Sequence, residues 1–180
     1  MRAIRVQDDE PEPDGVVCLV QAAQQGDRAA FAELYRRHTR AVHGVLLARV
    51  AATDVDDLVQ DVFMQAMQRL TTLHDPCAFA AWLAAIARNR ATDHLRRTPV
   101  TTELPESLAT TDVDRTEALE ILAIVQQLPD AYRETLTLRL VEGMTGPEIA
   151  SRVGLTDASV RVNLHRGMKL LRERLERRSV

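Results

Sequence analysis

The sequence predicts an all-α protein made of two small helical domains joined by a flexible linker, and three observations carry that prediction. Apolar residues recur at spacings of three and four through most of the chain. Glycine and proline number seven each and aromatics make up only 3% of 180 residues, too few for a turn-rich sandwich or barrel. Between Thr98 and Asp114 the periodicity stops and Thr, Pro and acids take over, which divides the chain in two. With 46% hydrophobic residues, there is enough apolar material for both parts to bury a core.

Residues 1–15 hold five acids and no apolar run, and read as a disordered tail ahead of a first domain over 16–97. A short helix over 16–25 stops at Gly26. Asp27 is placed to cap a second helix, in which Phe31, Leu34, Tyr35, His38, Val42, Val45, Leu46 and Val50 form one stripe. Thr53 is placed to cap a third, with Val55, Leu58, Val59, Val62, Phe63, Ala66, Met67 and Leu70 facing inward. The acids of its first turn suit the helix dipole. Asp75 and Pro76 break the pattern, and a fourth helix runs through Phe79, Trp82, Leu83, Ile86 and Ala87 to Leu95. Trp82 invites a base-stacking role, but its periodic place between Phe79 and Ile86 favours core packing. Four such helices make a bundle.

The linker, residues 98–114, could extend to about 56 Å at ~3.3 Å per residue. Two modules so joined could reach separated segments of one DNA duplex. The second domain, 115–180, opens with a helix over 116–127 carrying Leu119, Leu122 and Val125, broken by Leu128-Pro129-Asp130. A helix over 131–142 ends at Gly143. Thr145 and Glu148 form a capping box with Pro147 in the first turn, and the short helix they start ends at Gly154. Thr156 then caps a last helix with inner positions Val160, Leu164, Gly167 or Met168, Leu171 and Leu175. A short helix, a glycine turn and a longer basic helix are the parts of a helix-turn-helix.

The formal net charge of -3 argues against nucleic acid only until it is divided along the chain. Residues 101–129 hold one basic and six acidic side chains, whereas Arg152 to Arg178 hold eight basic and three acidic. Within the first domain Asp54, Asp56, Asp57 and Asp61 gather on the third helix, while Arg88, Arg90, Arg96 and Arg97, with Asp93 among them, gather on the fourth. Separate protein-facing and DNA-facing surfaces follow. Enzyme chemistry finds no support. The five histidines (38, 43, 74, 94 and 165) lack metal spacing, no glycine-rich phosphate loop is present, and no nucleophile sits in a recognisable turn. Cys18 and Cys77 lie too far apart in sequence for a zinc motif and read as buried reduced thiols. No stretch approaches the ~18 apolar residues of a membrane span, so a soluble, cytoplasmic protein without membrane insertion, metal or cofactor is expected.

The run Asp54-Val55-Asp56-Asp57-Leu58-Val59-Gln60-Asp61-Val62-Phe63, followed by Trp82-Leu83, Ile86-Ala87-Arg88-Asn89 and Asp93 with Leu95-Arg96-Arg97, resembles region two of bacterial extracytoplasmic-function (ECF, group four) sigma factors of the sigma-70 family. Leu128-Pro129, Arg133-Glu134, Glu142-Gly143, Glu148-Ile149-Ala150, Gly154-Leu155, Ser159-Val160-Arg161 and Leu164-His165-Arg166 are similar to region four. The resemblance covers roughly residues 16–176. It implies a dissociable subunit that gives RNA polymerase its promoter choice without chemistry of its own. Docking on the clamp helices of core polymerase is carried over to Asp57, Leu58, Gln60, Asp61 and Phe63, with a further contact of the chain to the flap. Minus-10 recognition is carried over to His74 and Asp75 in the loop over 73–77, and to Arg88, Asn89, Arg90, Asp93, Arg96 and Arg97. Minus-35 recognition in the major groove falls to Ser159, Arg161, Asn163, His165 and Arg166, with Lys169 placed for phosphates. An anti-sigma factor is the expected regulator. A stand-alone helix-turn-helix regulator is the alternative, and it gives no task to the acidic third helix.

Overall fold

The computed structural model of the protein describes residues 13–97 and 121–178, and among these the regular structure is helical, with no strand. The first module contains α1 (Pro13–Gln24), α2 (Arg28–Leu47), α3 (Ala52–Arg69) and α4 (Phe79–Arg97), with 3-10 turns at Leu70–Thr72 and Pro76–Ala78 between the last two. The second contains α5 (helical over 121–126), α6 (Asp130–Leu140), α7 (Gly146–Val153) and α8 (Asp157–Arg178). The expected linker, most of the expected tail and Leu119 lie outside the described residues.

Several signals act where the sequence puts them. Gly26 takes the left-handed φ of 95° that ends the α1 turn. The Asp27 carboxylate accepts from the Ala29 and Ala30 amides at 2.8 and 3.1 Å, satisfying two of the free donors at the start of α2. Thr145 and Glu148 make the reciprocal capping box, and Gly154 closes α7 at φ 71°. Thr156 Oγ1 accepts from the Ser159 amide at 3.2 Å at the head of α8.

Four expectations are corrected. The first helix begins at Pro13, inside the stretch read as tail. The third begins at Ala52 without a side-chain cap, and the Thr53 hydroxyl instead bonds the neighbouring Asp54 carboxylate. Cys18 and Cys77 are both exposed, one on the outer face of α1 and one in a surface 3-10 turn, so neither packs as a core thiol. Tyr35, Met67 and Leu175, read as inner positions, are exposed, and of the two alternatives Gly167 and Met168 it is Gly167 that is buried. The approach is close: a Cβ at Gly167 would lie 3.0 Å from Leu136 Cδ1 and 3.1 Å from Tyr132 Cβ, so a side chain there would require α6 to give by a few tenths of an ångström.

At the centre is α2, against which α1, α3 and α4 all pack. Its inner face, with Leu34, Val42, Val45 and Leu46, meets Val55 and Val62 of α3 and Phe79 and Leu83 of α4 in one buried cluster. Full burial of each large apolar side chain contributes about 1.5–3 kcal/mol. Trp82 packs against this cluster, with its ring 6.0 Å from Phe79, in line with a core role. The two modules do not stand apart. Leu138, Met144, Ile149, Ala150, Val153 and Val160 belong to the same cluster as the first module's core, while Ile124, Val125, Leu128, Leu136 and Leu171 form a smaller one of their own.

His38 is the polar member of the α2 core face. Both of its ring nitrogens lack a hydrogen-bond partner, and its ring meets Phe79 edge-on at 5.1 Å. Burial, reinforced by the nearby Arg152 and Arg37 charges, lowers its pKa to about 3. A histidine that folds neutral contributes stability above the unfolded value of 6.5 and loses it as pH falls toward the folded value. We predict that the unfolding free energy in urea drops by about 2 kcal/mol between pH 6.5 and pH 5. In His38→Leu that component should be absent over the same interval.

Candidate nucleic-acid interface

The acidic helix comes first. Asp56, Asp57 and Gln60 are exposed along α3, and Asp61 is half-buried beside them. Leu58 and Phe63 do not share that face: both are buried, and the Phe63 ring packs at a tilt against Tyr35 with ring centroids 4.5 Å apart. Their placement in the docking set is therefore corrected, because helical periodicity turns 58 and 63 toward α2. What the sequence reading missed are Met64 and Met67, each 59% exposed on the same outer face as Asp57 and Gln60. Four residues apart, Gln60 and Met64 are neighbours on the helix surface, which was the available signal. Carboxylates beside exposed, adaptable thioethers suit a protein partner.

Two of the acids are already engaged by α4. Asp54 pairs with His94 Nε2 at 2.9 Å, and Asp61 Oδ2 accepts from Arg90 Nε at 3.2 Å. These pairs lock α3 to α4 and set the face of α4 that remains free. Asn89, Arg96 and Arg97 are exposed on it, with Arg96 loosely paired to Asp93 at 3.9 Å. Of the preceding loop, His74 is exposed, whereas the Asp75 carboxylate accepts from the Cys77 amide at 2.9 Å and shapes the 3-10 turn.

Arg88 has a different environment. Its Nη2 donates to Glu134 Oε1 at 2.7 Å and its Nε to Oε2 at 3.1 Å, a bidentate pair across the two modules. Arg49 Nη1 reaches the same Oε2 at 2.8 Å. The Glu134 side chain is almost completely buried, and its hydrogen bond raises the pKa of Arg88 against the opposing effect of burial. Neither Arg49 nor Glu134 stood among the expected functional residues, since no local spacing links positions 49, 88 and 134.

On α8, Ser159, Arg161, His165, Arg166 and Lys169 are exposed on the outer surface of the helix-turn-helix, with Val162 beside them at 44% exposure. The turn before α8 is set by Gly154, whose amide and that of Leu155 both donate to Ala150 O at 3.1 Å. Asn163 is the exception to the exposed set. It is half-buried and lines a cleft between the modules together with Arg49, Ala81, Arg88, Glu134 and Gly154. Among the described residues no group of histidines, cysteines and carboxylates could hold a metal ion, and no helix is long and apolar enough to cross a membrane.

A basic recognition helix after a glycine turn, on the same chain as an acidic methionine-bearing helix, is matched by two family models. Residues 34–99 match sigma-70 region 2, and residues 118–171 match sigma-70 region 4. The ECF RNA polymerase sigma factor SigF of Caulobacter vibrioides is 30% identical over 159 residues, covering 84% of this chain and 89% of that protein. This chain is an ECF sigma factor of the sigma-70 family. A protein of Xanthomonas campestris pv. campestris named "Probable RNA polymerase sigma factor RfaY" is 33% identical over 173 residues, of which this sigma factor covers only 43% of the length. The solved structure of CnrH in complex with the cytosolic domain of CnrY aligns with 91% of the sigma factor at 28% identity and a TM-score of 0.64. Region 2 thus spans α2 to α4, and region 4 contains the helix-turn-helix of α7 and α8. The sigma factor is a transcription initiation factor with a DNA-binding helix-turn-helix.

In this sigma factor the start of α7 depends on reciprocal capping. Glu148 accepts from the Thr145 amide at 2.6 Å, which together with the Thr145 hydroxyl lowers the pKa of its carboxyl. Thr145→Ala removes one side of the box and should lower the unfolding free energy by about 1 kcal/mol in urea titrations.

Proposed function

We propose that this chain is a dissociable polymerase subunit whose α3 face docks on core RNA polymerase, whose α4 surface contacts the minus-10 element, and whose α8 reads the minus-35 element. The observation that carries the proposal is the division of exposed groups. Asp57, Gln60, Met64 and Met67 form an acidic and apolar face on one module, while Arg161, His165, Arg166 and Lys169 form a basic face on the other. The first suits basic helices of a protein coiled coil, and the second suits base edges and phosphates of a major groove. Around an unpaired strand, His74, Asn89, Arg96 and Arg97 supply charge and hydrogen bonds along one surface. The protein works in the cytoplasm on this reading, and catalyses no reaction itself. A stand-alone helix-turn-helix regulator leaves the α3 face and the match over residues 34–99 without a role.

Control by an anti-sigma factor belongs to the same proposal. CnrH, a structural relative, was solved with the cytosolic domain of CnrY bound. A partner that covers the α3 face would exclude polymerase, and one that covers α8 would exclude DNA.

The Asp61–Arg90 pair makes Asp61 a poor site for testing docking alone, so the cleaner variant is Asp57→Lys with Met64→Ser. We predict that this double variant weakens binding to purified core polymerase tenfold or more, with thermal unfolding unchanged. Undiminished affinity would remove the docking role from this face. Arg161→Ala and Arg166→Ala should each lower holoenzyme binding to a selected minus-35 promoter by about tenfold, within the ~1–3 kcal/mol of a good base contact, and leave core polymerase binding intact.

A further inference from the structure

Arg88 and Asn163 lie on different modules, yet both face one cleft of about 360 Å³ that Arg49, Ala81, Glu134 and Gly154 also line. On the reading above their DNA targets are the minus-10 and minus-35 elements, whose names place them about 25 base pairs apart. At ~3.4 Å per base pair this is roughly 85 Å of duplex. A chain whose modules share a cleft cannot address both elements at once.

The contact that holds the cleft closed is specific. Glu134 offers two carboxylate oxygens to the guanidinium fork of Arg88, the geometry a phosphate diester would also offer, and Arg49 supplies a second positive charge. Close by, the turn of the helix-turn-helix sits directly on α4: a Cβ at Gly154 would fall 2.4 Å from Ala81 Cβ and 3.1 Å from its Cα. Gly44 of α2 permits a similar approach by α6, since a Cβ there would meet Leu138 Cδ2 at 2.6 Å. Hydrogen bonds complete the seam. Gln126 Nε2 donates to the Leu47 and Val50 carbonyls at 2.9 and 3.1 Å, and Arg152 Nη1 donates to Arg37 O at 2.6 Å.

We propose that Glu134 is an internal competitor for promoter DNA, a positioning residue whose carboxylate occupies Arg88 in the free chain and holds region 4 against α4. Release of this pair frees Arg88 for the nucleic acid and Asn163 for the groove. The inference rests on the proposed use of the α4 surface at the minus-10 element and on the promoter-contacting role that the sequence resemblance carries over to Arg88. It explains why a conspicuous arginine of the basic helix is satisfied by protein instead of facing solvent.

The test uses the full chain with two independent variants. Glu134→Gln removes the competing charge, and Ala81→Leu wedges the turn away from α4 without substituting any charged residue. Small-angle scattering reads the size of the free protein, for which a fully compact 180-residue chain has a radius of gyration of about 16 Å. A fluorescent single-stranded DNA oligonucleotide of random sequence reads the availability of Arg88, and far-ultraviolet circular dichroism identifies folded variants. Both variants should enlarge the radius by several ångström and strengthen oligonucleotide binding about fivefold or more at low salt. Adding Arg88→Ala should cancel the gain in binding but not the expansion. An unchanged radius in folded Ala81→Leu, or in both variants, overturns the inference and leaves the promoter reading standing. Expansion without a gain in binding overturns the competition. A gain that survives Arg88→Ala overturns the reading of Arg88 on which the inference rests.

Discussion

A buried carboxylate between two guanidinium groups is the interaction on which the arrangement of this sigma factor depends. Burying Glu134 alone would cost several kcal/mol of lost hydration, and the cost is offset only while Arg49 and Arg88 reach it together. Those arginines come from α2 and α4, and the carboxylate comes from α6. The pair therefore fixes how one module sits on the other. Apolar packing at Leu138, Ile149 and Val153 supplies most of the attraction across the seam. The ion pairs and hydrogen bonds supply its register, because an unpaired charge left in the cleft is expensive.

The same economy of charge runs through the first module. Asp54 and Asp61 are engaged by His94 and Arg90, so only part of the acidic helix and part of the basic helix face outward. On the seam between modules, Glu142 accepts from His43 at 2.7 Å and raises its pKa, and Arg40 lies against the same loop. The overall charge of -3 is thus the sum of surfaces that are partly paired and partly reserved for partners. A free chain with its arginines engaged internally has less basic surface with which to hold DNA nonspecifically.

Much of the fold was legible because it is written in local signals. Asp27, the Thr145–Glu148 box, Gly154 and the three-and-four spacing of α2 to α4 each specify structure within a few residues of themselves. The outward face of α8 was legible for the same reason, and so were Asp57 and Gln60. Leu58 and Phe63 were misassigned because a motif names positions without saying which way a helix turns them. Met67 was missed because its spacing and hydrophobicity put it in the inner stripe, and Met64 because it lies outside the motif that named the docking residues. Cys18 and Cys77 were placed inside on the habits of cysteine, although the amphipathic stripe of α1 runs along its other face. The seam between modules was invisible for a more basic reason. Contacts between Arg49, Arg88 and Glu134, or between Ala81 and Gly154, join positions more than 35 residues apart, and no periodicity encodes them.

If the free protein is closed and the promoter-bound protein is open, the distance between regions 2 and 4 is the quantity that separates the two states. It is measured most directly by spin labels at Gln68 and Lys169, both exposed, in a chain whose Cys18 and Cys77 have been replaced by serine. One narrow, short distance is predicted for the free chain, giving way to a distance tens of ångström longer when core polymerase and promoter DNA are added. A free chain that already shows the long or a broad distribution would contradict the account.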